Sequence, residues 1–119
     1  MEKEKKKAVE ESTAKTENEE DYELPDVSMP LEHPIEFEGK TYEKVDMNGI
    51  YDISLADLAE IQSQMNRKGI YADYERSIYF YAFVAAKANN MPYEWLLGMK
   101  ARDAERLQMM VKAFLFTRV

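Results

Sequence analysis

The chain has 119 residues, with Lys+Arg 16 against Asp+Glu 23 and a formal net charge of −7. One domain fits that length, and the acid surplus is concentrated at one end: residues 1–32 hold five lysines against eleven acids, leaving −1 for the remainder. A near-neutral body lacks the Lys/Arg surplus from which phosphate binding draws most of its affinity, and zero cysteines with a single histidine, His33, exclude a disulfide framework, thiolate chemistry and a His-rich metal site.

The opening MEKEKKKAVEESTAK is charged and has no apolar core, so it does not read as a secretory signal. Residues 1–20 contain one larger aliphatic, Val9, and cannot bury enough apolar surface to offset the entropy of ordering. They read as a disordered, solvated tail, helped toward transient helix only by pairs such as Glu2–Lys6, worth about a few tenths of a kcal/mol. Residues 21–34 follow with Pro25, Pro30 and Pro34, which fix φ and disfavour helix before them, so an extended connector is expected. The expected organisation is a disordered charged tail and connector over 1–30, then a folded domain over 31–119.

Over residues 35–45, Ile35 and Phe37 alternate with Glu36 and Glu38, Gly39-Lys40 interrupts, and Thr41, Tyr42 and Val45 resume. Alternation around a glycine predicts a β-hairpin, and Asn48-Gly49 marks a second turn. A lone hairpin is marginal in water, so its apolar face needs helices beneath it. Ser54-Leu55-Ala56-Asp57 then opens a helix over 54–67, with Leu55, Leu58, Ile61 and Met65 on one stripe and Gly69 beyond its end.

A second helix is predicted over 72–88. Its stretch IYFYAFVAA is apolar all round, the mark of a central element, although roughly 85 ordered residues are few to wrap it completely. The run from Ile78 to Ala86 is nine residues, short of the roughly 20 that cross a bilayer. The chain therefore reads as soluble and intracellular, with no membrane partner. Asn89-Asn90 ends this helix. Pro92 introduces a short third one over Tyr93–Leu97, stopped by Gly98. The last runs from 102 to 116, with Ala104, Leu107, Val111, Phe114 and Leu115 as its buried stripe. The fold class expected is mainly α with a small N-terminal β-hairpin (α+β), a compact bundle of about four helices.

No catalytic constellation emerges. His33 sits in the connector without companion ligands, and Glu36 and Glu38 read as the wet face of a hairpin. Gly39, Gly49, Gly69 and Gly98 are scattered singly, which rules out a phosphate loop, and no serine has flanking glycines. The expectation is a non-enzymatic protein with no cofactor and no metal. The aromatic and methionine side chains point to protein binding instead, since methionine adapts to irregular partners and Tyr and Trp dominate interface hot spots. Most of these side chains are also natural core, above all Phe80, Phe83 and Phe114. The candidate partner-binding residues are Tyr79, Tyr81, Trp95, Met99, Met110 and Phe116, whose exposed members would form an apolar groove for a partner helix.

The segment PIEFEGKTYEKVDMNGI, the capped helix SLADLAEIQ and the stretch YFYAFVAAKANNMPYEWLLGMKARDAERLQMMVKAFLF together resemble the tail assembly chaperones of siphophages and myophages, in the group from phages and prophages of Gram-positive bacteria. The shared features are Pro34, Phe37, Gly39, Lys40 and Tyr42 of the hairpin; Ala85, Ala86, Lys87 and Ala88; Pro92 and Glu94; Met99, Ala101 and Asp103; and Phe114 and Phe116. The likeness covers about residues 30–116. Met99 stands where the family pattern has Leu, and the charged tail is longer than usual. The resemblance implies a helper of viral tail assembly that is absent from the finished virion. It would bind the tape measure protein in the host cytoplasm while tail tube subunits polymerise, with the tail tube protein and a second copy of the chain as further partners. Two other readings compete: a small DNA-binding regulator using Lys100, Arg102 and Arg106, and a structural head–tail or tail component.

Overall fold

Residues 24–116 are described in the computed structural model, so the expected disordered segment over 1–20 lies outside the described residues. Strands β1 (Ser28–Phe37) and β2 (Lys40–Asp46) form an antiparallel two-stranded hairpin. Pairing starts before the expected boundary at Leu31: Ser28 pairs with Asp46, and Met29, opposite Val45, is buried. Prolines within β1 are accommodated by an irregularity. Between the pairs Pro30–Lys44 and Ile35–Tyr42, five steps on β1 match two on β2. Such a bulge releases the chain from regular pairing, which Pro34, lacking an N–H, could not sustain. The hairpin turn is Glu38-Gly39 rather than Gly39-Lys40. Phe37 pairs with Lys40, and the two central residues have φ of 50° and 80°, as a two-residue turn matched to strand twist requires.

Helix α1 (Leu55–Arg67) begins at a reciprocal cap: Ser54 Oγ accepts the Asp57 N–H at 3.2 Å, and the Asp57 carboxylate accepts the Ser54 N–H at 3.0 Å. The Ser54 N–H bond foremost, with the Ser54 hydroxyl and the Lys87 charge, draws the Asp57 carboxyl below its ordinary value against the opposing effect of desolvation. Of the expected stripe, Ile61 and Met65 are buried and Leu58 is half-buried, but Leu55 is 82% exposed. Periodicity puts Leu55 on the stripe; the neighbouring elements cover that stripe only from Leu58 onward.

Helix α2 (Ile78–Asn89) is the central element, burying Phe80, Tyr81, Phe83, Val84, Ala85 and Ala86. It touches α1, β2, each of the 3₁₀ turns at Asn48–Asp52, Tyr74–Arg76 and Tyr93–Leu96, and the last helix, α3 (Ala101–Phe116). It starts later than the expected position 72, because Asp73 adopts a left-handed conformation (φ 53°) and Ser77 supplies the cap, accepting the Tyr79 N–H at 3.2 Å. Asn90 ends it, also left-handed at φ 56°. Gly49 lets the first 3₁₀ turn lie against the end of α2: a Cβ there would stand 2.1 Å from the Ala88 carbonyl oxygen. Lys87 of α2 reaches back to α1, 2.7 Å from Glu60 and 3.9 Å from Asp57.

The expected count of four helices is corrected to three. Tyr93–Leu96 is a 3₁₀ turn, bonded Trp95 N–H to Pro92 O and Leu97 N–H to Glu94 O, both at 3.1 Å. Between the left-handed Asn90 and Gly98 the chain has too few residues for a stable α-helical segment, and the tighter turn uses them. On α3, Leu107 and Val111 are buried as expected, whereas Phe114 is 40% exposed and rests edge-on against Tyr51, with ring centroids 5.2 Å apart. Phe114 thus belongs to the periphery. The fold is mixed α+β, with three α-helices and one hairpin among the described residues.

Candidate functional site: an apolar cleft between the second and third helices

The first turns of α2, the Tyr93–Leu96 turn and the N-terminal half of α3 enclose a cleft of about 210 Å³. It forms where the first turn of α2 and the residue after the Tyr93–Leu96 turn extend past their neighbours, leaving Ile78 and Leu97 uncovered. Tyr81, Leu96 and Leu107 make its buried floor; Tyr79, Ala82, Met99 and Ala104 are partly covered walls. Ile78 and Leu97 stand at its rim, 48% and 60% exposed. Apart from two tyrosine hydroxyls, all the lining side chains are apolar, so what it offers a ligand is removal of hydrocarbon from water. Among the described residues no group of His, Cys, Asp and Glu could hold a metal ion, and no helix is long and apolar enough to cross a membrane.

The six side chains singled out from the sequence divide clearly. Tyr79, Tyr81 and Met99 line the cleft. Tyr81 does so from below: it is 1% exposed, its hydroxyl donates to the Glu75 carbonyl, and burial, with the Glu75 charge second, raises its phenol above the ordinary tyrosine range. Trp95 is core, 2% exposed and edge-on to Tyr42 at 5.4 Å, so it offers no surface to a partner. Met110 is half-buried against the core, and Phe116 is exposed, stacked on Phe80 at 6.2 Å. Sequence reasoning missed Ile78 and Leu97. Ile78 follows the Ser77 cap directly, and side chains of a helix's first turn have no preceding turn to shelter against. Leu97 lies just past a 3₁₀ turn, where α-helical periodicity gives the wrong face.

Phe116 belongs to a second, wider cleft of about 580 Å³, lined also by Glu75, Arg76, Tyr81, Gln108 and Lys112. Tyr81 is common to both clefts, and Ala104, Gln108 and Lys112 stand one helical turn apart on one face of α3. The two clefts therefore follow one line along α3. Lys112 Nζ lies 5.8 Å from the Tyr81 ring centroid. Two of the three cations of the 100–106 segment are engaged: Arg102 Nε is 3.3 Å from Glu32, and Arg106 Nη1 is 2.8 Å from Asp103, while Lys100 is exposed. The Arg102–Glu32 pair joins α3 to β1.

Asp103 is the one buried charged residue in the described chain. Its two carboxylate oxygens accept the main-chain N–H groups of Glu32 and His33, at 3.0 and 3.1 Å, within the bulge of β1. Burial by itself would raise this carboxyl; the two N–H donors and Arg106 outweigh it and hold the group below its ordinary value. Asp103 is thus a structural clasp, and it fixes the α3 wall of the cleft relative to the hairpin. No protein-family model, curated protein or solved structure matches this chain.

Proposed function

We propose that this chain is a bacteriophage tail assembly chaperone, binding helical segments of the tape measure protein in the host cytoplasm while the tail tube polymerises, and absent from the mature virion. The observation that carries the reading is the apolar cleft between α2 and α3, open at Ile78 and Leu97. A cleft of this kind suits the apolar face of an amphipathic helix, read by anchors at helical spacing. The ordered resemblance over residues 30–116 supplies the identity of the client, and the acidic N-terminal segment would keep loaded copies apart.

The reaction asked of such a protein is reversible coverage of hydrocarbon, so it requires neither a nucleophile nor a cofactor. Exposed Ile78 and Leu97 would contact the client first, and the partly covered Tyr79 and Met99 would close on it. Co-expression of the full chain with a tape measure fragment tests this. A co-purifying complex that keeps the fragment soluble supports the reading; an unbound, insoluble fragment overturns it. The presence of the chain in purified virions would favour a structural tail component instead.

A further inference from the structure

The line formed by the two clefts changes chemical character along its length. At the end nearer Ala104 it is hydrocarbon. At the end nearer Phe116 it holds two cations, Arg76 and Lys112, against one carboxylate, Glu75. Among the described residues Arg76 and Lys112, like Lys40, Lys44, Arg67, Lys68 and Lys100, have no carboxylate within ion-pair distance, and of these cations only Arg76 and Lys112 line the two clefts. Both cleft cations are exposed. From Ala104 to Phe116 the groove runs about 18 Å along α3, which a partner helix of about twelve residues would cover.

We infer that the groove takes a helical protein segment whose apolar residues occupy one half and whose carboxylates occupy the other. The apolar half would sit between Ile78 and Leu97, and the carboxylates would meet Arg76 and Lys112. This deepens the chaperone reading and rests on it, because it specifies the chemistry of the segment bound in the same cleft. The physical case is charge complementarity. A segment with lysines at the second position would set like charges side by side, whereas one with acids pairs both cations, and close charge pairs set register and partner choice.

The test uses the full chain and three synthetic fourteen-residue helical peptides labelled with fluorescein. All share one apolar stripe and carry two Glu, two Gln or two Lys in the final turns; binding is read by anisotropy. At about 0.05 M salt the Glu peptide is expected to bind about tenfold more tightly than the Lys peptide, and at about 1 M salt the gap should close, because screening then acts within about 3 Å. The double substitution Arg76→Glu with Lys112→Glu should reverse the preference between the Glu and Lys peptides.

Equal binding of all three peptides, or a preference that survives the double substitution, overturns the inference and leaves the apolar cleft reading intact. Failure of every peptide to bind counts against both. Two further results would give the cations to another occupant and overturn the inference. One is a more than tenfold gain for the Glu peptide when Glu17, Glu19, Glu20 and Glu23 are changed to Gln, which assigns the cations to the chain's own N-terminal segment. The other is a dimer in sedimentation velocity that the double substitution splits, which assigns them to a second copy.

Discussion

The carboxylate of Asp103 on α3 accepts the main-chain N–H of His33 on β1 at 3.1 Å, across 70 positions of sequence. The same carboxylate takes the neighbouring Glu32 N–H and the Arg106 guanidinium. A bulge frees backbone donors from strand pairing, and here a buried acid from a distant helix satisfies them. Hairpin and helix therefore hold each other in place. Asp103→Ala leaves two amide donors unpaired and is expected to cost about 3 kcal/mol in urea unfolding. Arg106→Ala, which leaves the two amide donors on the carboxylate, should cost less than Asp103→Ala.

The same contact has a definite pH signature. The folded Asp103 carboxyl titrates below its ordinary value, so its contribution is present in full above the ordinary carboxylate range and is lost as pH falls through the folded pKa. The stability gap between the natural chain and Asp103→Asn is therefore expected to be flat from neutral pH down to about 5, then to shrink below about 4. A gap that widens on acidification would contradict the assignment.

Two glycines should respond in opposite ways to one added methyl group. Gly49→Ala places a Cβ 2.1 Å from the Ala88 carbonyl oxygen, a backbone atom that cannot turn aside. A loss of about 1–3 kcal/mol or more is expected. At Gly98 nothing lies within 4 Å of an added Cβ, and its φ is not positive. Gly98→Ala should leave the free energy of urea unfolding unchanged or raise it slightly, by about 0.5 kcal/mol.

The rim and core of the cleft should separate binding from folding. Leu97→Asp and Ile78→Asp alter exposed side chains and should abolish capture of a tape measure fragment, with Tm moving by less than about 4 °C. Trp95→Ala empties a buried site and should cost about 3–5 kcal/mol, with loss of capture only as a consequence of unfolding. Capture that survives Leu97→Asp would remove the cleft from the mechanism.

Capping gives a local check on α1. Ser54→Ala deletes the acceptor for the Asp57 N–H and is expected to cost about 1 kcal/mol. Ser54→Thr should restore most of it. Equal stability of Ser54→Ala and the natural chain would show that the cap contributes nothing.

Much of this architecture is written in local signals. Ser54 and Asp57 announce α1, Asn90 ends α2, and the unbroken apolar run from Phe80 to Ala86 marks α2 as the centre. Each rests on interactions within a few residues, which composition and spacing express directly. The turn at Glu38-Gly39, the bulge around Pro34 and the 3₁₀ form of Tyr93–Leu96 were less legible. There, strand twist and chain-length limits decide among conformations that the residues alone permit.

The sequence by itself determined that a hairpin precedes a set of helices and that α2, apolar on every side, is central, with few residues to wrap it completely. Tertiary structure alone decided where the uncovered part lies. It buried Tyr81 and Trp95, left Ile78 and Leu97 at a rim, and made Asp103 a clasp on β1. The reason is range: periodicity reports which face of one element is apolar, whereas exposure depends on how far its neighbours extend, and those neighbours come from distant parts of the chain.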